Sequence, residues 1–116
     1  MKYFFSTLCL LFFLLGCAQS SSKHITKVSQ NELNSVTLVD VRTPEEFNDG
    51  HLENAKNINW FDSDFTIQFE GISKNETIYV YCKKGGRSAK AQKVLDSLGY
   101  KNVVNLEGGY DAYIKK

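Results

Sequence analysis

Thr77-Ile78-Tyr79-Val80-Tyr81-Cys82-Lys83-Lys84-Gly85-Gly86-Arg87-Ser88 is the stretch whose reading decides the fold. Its first five residues are β-branched or aromatic without interruption, which is the signature of a strand. Gly85-Gly86 breaks the run. From Ser88 to Leu98 the apolar residues Ala91, Val94, Leu95 and Leu98 recur at the spacing of one helix face, and Gly99 stands where a helix ends. Strand, glycine turn and helix follow one another within about two dozen residues, as in α/β units.

The flanking sequence repeats this alternation. Ser29-Gln30-Asn31-Glu32 has a capping-box pattern and opens a short helix through Leu33. Val36-Thr37-Leu38-Val39 reads as a buried strand ending near Asp40. Thr43-Pro44-Glu45-Glu46 places an N-cap, a proline at the first helical position and a glutamate at the third, predicting a helix to about Asn48. A short strand is expected over Ala55–Ile58. Ser63 is expected to cap a helix from Asp64 to about Phe69, with Phe65 and Phe69 on one face. Val103-Val104 reads as a strand, and Gly108-Gly109 turns into a last helix over Tyr110–Ile114. The expected fold is α/β with a mainly parallel sheet flanked by helices. In such sheets binding groups gather at the carboxyl ends of strands, where Asp40 and Cys82 both fall.

Cys82 is the candidate nucleophile. A cysteine reacts as its thiolate, so the question is what favours the anion. The loop runs into a helix N-terminus, whose unpaired N–H groups and dipole attract negative charge. Gly85-Gly86 lets the backbone curl into an anion-binding nest. Arg87 adds a rigid fork of donors, and Lys83 and Lys84 add positive potential. Lys83, Lys84, Gly85, Gly86, Arg87 and Ser88 are therefore the candidate substrate cradle. A buried structural cysteine is the competing reading. Asp40 and Arg42 either orient the loop or pair to hold the strand end, the second being preferred. His51 is read as a turn residue bonded to backbone, and Trp60 and Phe61 as packing residues.

These segments resemble those of single-domain rhodaneses. Tyr81 to Ser88 is similar to that family's active loop, including six residues from cysteine to arginine. Asp40-Val41-Arg42 with Pro44-Glu45-Glu46-Phe47, then Gly50-His51-Leu52 and Ala55-Lys56-Asn57-Ile58, and finally Leu106-Glu107-Gly108-Gly109-Tyr110 match its other motifs in order. Asn54 replaces the family's usual glycine, a position where asparagine tolerates a left-handed turn. The resemblance implies a five-stranded parallel sheet and sulfur transfer through a Cys82 persulfide. The donor would be a small anion such as thiosulfate or another persulfide, and the acceptor a thiol or protein; no cofactor is implied. Related phosphatases have one more residue between cysteine and arginine, so four residues here favour sulfur over phosphate or arsenate. A non-catalytic binding module is the main alternative.

The remaining expectations concern the whole chain. Its 116 residues are 42% hydrophobic and 23% charged, an ordinary globular composition sufficient for one domain. The net charge of +1 falls to zero without Lys2, and no basic run is interleaved with aromatics, which argues against nucleic-acid binding. Residues 1–16 read as a signal peptide, its apolar stretch Tyr3–Leu15 being too short to span a bilayer. Leu14-Leu15-Gly16-Cys17 resembles the lipobox of bacterial lipoproteins, which implies acylation (palmitate and related chains) at Cys17. An ordinary leader cut after Ala18 is the alternative. Residues 17–24 are expected to be a flexible tether and 25–116 the folded, monomeric domain. The protein would then be lipid-anchored, facing the periplasm or the cell exterior. Cys9 falls in the leader, leaving Cys82 as the one body cysteine, without a disulfide framework or a metal-ligand spacing.

Overall fold

The computed structural model describes residues 21–116; the leader, Cys9 and Cys17 lie outside the described residues. Five strands form one parallel sheet: β1 (Ser21–His24), β2 (Thr37–Asp40), β3 (Lys56–Asn57), β4 (Thr77–Tyr81) and β5 (Asn102–Glu107). Their spatial order is β1-β5-β4-β2-β3. Helices α1 (Gln30–Asn34), α2 (Pro44–Asn48), α3 (Gly86–Ser97) and α4 (Gly109–Lys115) supply the crossovers and the last segment.

The alternation of side chains along β4 organises the core. Ile78, Val80 and Cys82 face one side of the sheet, where Ala91 and Leu95 of α3 pack with Phe65, Phe69 and Tyr100. Tyr79 and Tyr81 face the other, against Ile25, Leu33, Leu52 and Leu106. Cys82 continues the inward phase of its strand, so the fold itself turns its side chain toward the base of α3. The buried aromatic hydroxyls find partners: Tyr81 accepts from the Leu52 amide at 3.0 Å, and Tyr100 donates to the Phe69 carbonyl at 2.7 Å.

Four sequence expectations are corrected. The polar segment Ser21–His24, read as tether, is the edge strand β1, pairing with Val104–Glu107. Its side chains are exposed, so backbone pairing and polar side-chain contacts hold it, and these leave no hydrophobic pattern. Lys23 reaches Glu32, and Gln92 of α3 donates to the Ser21 carbonyl at 2.6 Å. The helix expected over Asp64–Phe69 is a chain of tight turns with one 3-10 turn at Ile67–Phe69. The Phe65 and Phe69 amides close onto carbonyls three residues back and that of Gln68 onto Asp64, four back, while the Asp62 and Asp64 carboxylates accept from the Gln68 side chain. Phe65 and Phe69 still meet, with ring centroids 5.0 Å apart. The third correction concerns α3, which starts at Gly86, two residues earlier than read. Last, the stripe this helix buries is Ser88, Ala91, Gln92 and Leu95, whereas Leu98 is exposed.

Other local readings match, the capping box at Ser29 only in half. Thr43 and Glu46 form the reciprocal capping box at α2, with Pro44 in the first turn. Ser29 caps α1, but Glu32 does not return the bond; its carboxylate is taken by Lys23 and the Tyr79 hydroxyl. Asn54 adopts a left-handed φ of 73°.

Candidate active site

Cys82 stands one residue beyond the end of β4, at the carboxyl edge of the sheet. Gly85, with φ 115°, makes the turn that a side chain would resist, and it is the N-cap of α3. That turn aims its amide at the sulfur: Gly85 N–H donates to Cys82 Sγ at 3.0 Å. The Ser88 hydroxyl, one turn into α3, lies 3.4 Å from the same sulfur and 3.2 Å from the Gly85 carbonyl.

Burial pushes the Cys82 thiol up, since the residue is only 1% exposed. The Ser88 hydroxyl and the amides of Ser88, Gly85 and Lys84 pull it down and prevail, leaving it below its ordinary value. The anion is thus favoured by main-chain dipoles and one hydroxyl. Starting α3 early is what brings these groups together, because its open first turn then faces the sulfur.

The side-chain cations are arranged otherwise than the sequence implied. Arg87 directs its fork at Glu46, with Nη1–Oε1 at 2.8 Å and Nη2–Oε2 at 3.0 Å. That pairing, together with the bonds from Thr43, holds the Glu46 carboxyl at about 2 against burial. Lys83 and Lys84 both lean on Asp111, at 3.0 and 3.2 Å. Gly86 is exposed beside them at the start of the helix.

Asp40 and Arg42 form a buried pair, 0% and 4% exposed, closed by bonds of 2.6 to 3.1 Å. Arg42 also donates to the Gly50 carbonyl at 2.7 Å and lies over the Tyr110 ring at 4.4 Å. These contacts tie the ends of β2 and α4 to the turn after α2, in keeping with the structural reading. His51 bonds the Phe47 carbonyl at 2.9 Å and stacks on the Phe47 ring. Trp60 packs edge-on against Phe65, but Phe61 is exposed, with the Arg87 guanidinium 5.7 Å from its ring. Among the described residues, no group of three or more His, Cys, Asp or Glu is arranged to hold a metal ion.

Sequence reasoning missed Glu46, Asp111 and Gly109. Gly109, with φ 63°, passes so close to the Lys83 carbonyl that a Cβ there would collide with it. This approach lets Tyr110 N–H reach the Cys82 carbonyl at 2.8 Å and Asp111 N–H the Lys83 carbonyl at 3.0 Å. The Gly-Gly pair was visible in the sequence as a turn; what it lies against was not.

The model of the Rhodanese-like domain family matches residues 24–116. The chain belongs to the rhodanese-like domain family. The rhodanese-like chain is 35% identical over 88 residues to the putative mitochondrial thiosulfate sulfurtransferase of Schizosaccharomyces pombe, covering 66% of this chain and 61% of that protein. It is 33% identical over 98 residues to thiosulfate sulfurtransferase GlpE of Shewanella oneidensis, covering 81% and 94%. The crystal structure of SSP1007 from Staphylococcus saprophyticus superposes with a TM-score of 0.70 at 35% identity, over 80% of this chain and 92% of that one. This rhodanese-like chain spans less than two thirds of the length of the yeast relative.

Proposed function

We propose that the protein moves sulfane sulfur through a persulfide on Cys82. The observation that carries this reading is the lowered thiol, bonded by the Gly85 amide at 3.0 Å at the mouth of a helix N-terminus. Relatives named as thiosulfate sulfurtransferases support it.

The chemistry is a double displacement. The Cys82 thiolate attacks the outer sulfur of a donor, a new S–S bond forms, and the donor's own S–S bond breaks. Its electron pair leaves with sulfite when the donor is thiosulfate, or with a thiolate when it is a persulfide. An acceptor thiolate then takes the outer sulfur and Cys82 regains its thiolate. No oxidant is consumed, and the Ser88 hydroxyl and loop amides that lower the thiol favour its ionised, nucleophilic form. The amide field that favours the thiolate also favours the negative charge on a persulfide.

The test is intact mass. Incubation with thiosulfate or an organic persulfide adds one sulfur atom, about 32 Da, to the native protein and nothing to Cys82→Ser. A native protein that stays unmodified with every donor while still binding them selects the binding-module reading. Lipid anchoring through Cys17 is a separate part of the proposal: full-length protein partitions into a detergent phase and Cys17→Ala does not.

A further inference from the structure

We infer that Glu46 sets the choice of donor: by holding Arg87 in a two-bond ion pair it turns the site away from doubly charged donors and toward persulfides of low charge. This rests on the sulfur-transfer reading above and concerns the same site.

The charges around Cys82 carry the argument. Three cations stand on its loop, and each has a carboxylate partner. Glu46 accepts both terminal nitrogens of Arg87, and Asp111 accepts Lys83 and Lys84. Three positive charges and two carboxylates leave a surplus of one, which the Cys82 thiolate cancels in the reacting form of the site; the Asp40–Arg42 pair adds nothing. A dianion such as thiosulfate therefore meets no net attraction from the side-chain charges and has only the loop amides to draw it in. To use the paired edge of Arg87 it must displace a carboxylate that already fits the fork bidentately. The pair is also sheltered, with side-chain exposures of 21% for Arg87 and 28% for Glu46, so water weakens it less than a fully exposed pair.

A protonated persulfide of a small neutral thiol asks for none of these cations. The Cys82 thiolate attacks its outer sulfur, the donor S–S bond breaks, and the departing thiolate carries away the electron pair and one charge. The proton stays on the transferred sulfur. Loop amides and the Ser88 hydroxyl, already directed at the sulfur, are the donors that step requires.

Glu46 acts through Arg87 and is a positioning residue. Glu46→Gln removes its charge while keeping the capping box, since glutamine serves that role as glutamate does. The donors are thiosulfate and hydroxyethyl persulfide, and loading of Cys82 is followed by mass. In Glu46→Gln, kcat/KM for thiosulfate is expected to rise about tenfold, mostly through KM, while the persulfide value changes less than about twofold. A parallel change for both donors, or none for either, overturns the inference. A measurement on the native protein is independent of how the variant folds. With a local charge of zero, its thiosulfate kcat/KM is expected to vary less than about twofold between roughly 20 and 200 mM salt. A steep fall with salt would mean free cations draw the dianion in, and overturns it too. If no donor loads Cys82 in the native protein, it is the sulfur-transfer reading itself that fails.

Discussion

The amide of Tyr110 donates to the carbonyl of Cys82 at 2.8 Å, so the last helix holds the peptide of the nucleophile from behind. The neighbouring bond from Asp111 to the Lys83 carbonyl extends the grip by one residue. Main-chain bonds, which no side-chain change can remove directly, thus set the level of the loop floor.

Gly109 is the point at which that grip is vulnerable. Gly109→Ala puts a methyl group against the Lys83 carbonyl, at a left-handed φ that alanine disfavours. The expected cost is about 2–4 kcal/mol. Persulfide formation is expected to fall at least about tenfold, as the floor carbonyls move. Urea unfolding and the loading rate measure the two effects; native values for both would show that α4 does not support the loop.

Ser88→Ala tests the source of the lowered thiol. Loss of the hydroxyl removes one of the groups that hold Cys82 below its ordinary value, while burial continues to push it up. The midpoint of the pH profile for iodoacetamide alkylation is expected to move upward, and the rate near pH 6 to drop a few-fold. An unchanged profile would assign the whole effect to the amides.

The acid limb of stability reports on Glu46. Its carboxyl is held at about 2 in the folded protein against 4.5 for the free group, chiefly by Arg87. A depressed carboxylate adds stability that is complete above the unfolded value and is lost as pH falls through the folded one. The stability advantage of the native protein over Glu46→Gln is therefore level above about pH 5, falls as the pH drops toward about 2, and disappears only below it, by about pH 1. Thermal midpoints of the two proteins across this range check the sign.

How much of this was readable beforehand depends on how local each feature is. The strand Thr77–Tyr81 and the cysteine loop were legible because strand, turn and helix signals lie side by side in the chain. The capping box at Thr43 was legible for the same reason. The partner of Arg87 was not, because Glu46 lies 41 residues away and its glutamate already had a sufficient local explanation as a cap. Asp111 is 28 residues from Lys83, and no pattern of spacing links them. β1 was misread because an edge strand with both faces in water needs no apolar residue; its partner, β5, supplies the backbone groups.

Asp40→Asn probes the support beneath the site. It leaves the Arg42 guanidinium buried with one carboxylate charge removed, a change expected to cost about 3–5 kcal/mol. For a domain of this size that corresponds to a melting point lower by at least about 12 °C. Replacing both partners by apolar residues is expected to cost less than Asp40→Asn alone, and calorimetry of the two variants decides it.

The placement of β1 governs how the domain presents itself. All strands run the same way, and the shared pairing with Val104 sets Ser21 level with Tyr79, midway along β4, so β1 runs from there toward the reactive edge. Three strand steps, about 10 Å, separate Ser21 from the level of the reactive edge. Any tether upstream of Ser21 therefore joins the fold below the rim that carries the nucleophile, on the outermost strand rather than across the reactive face.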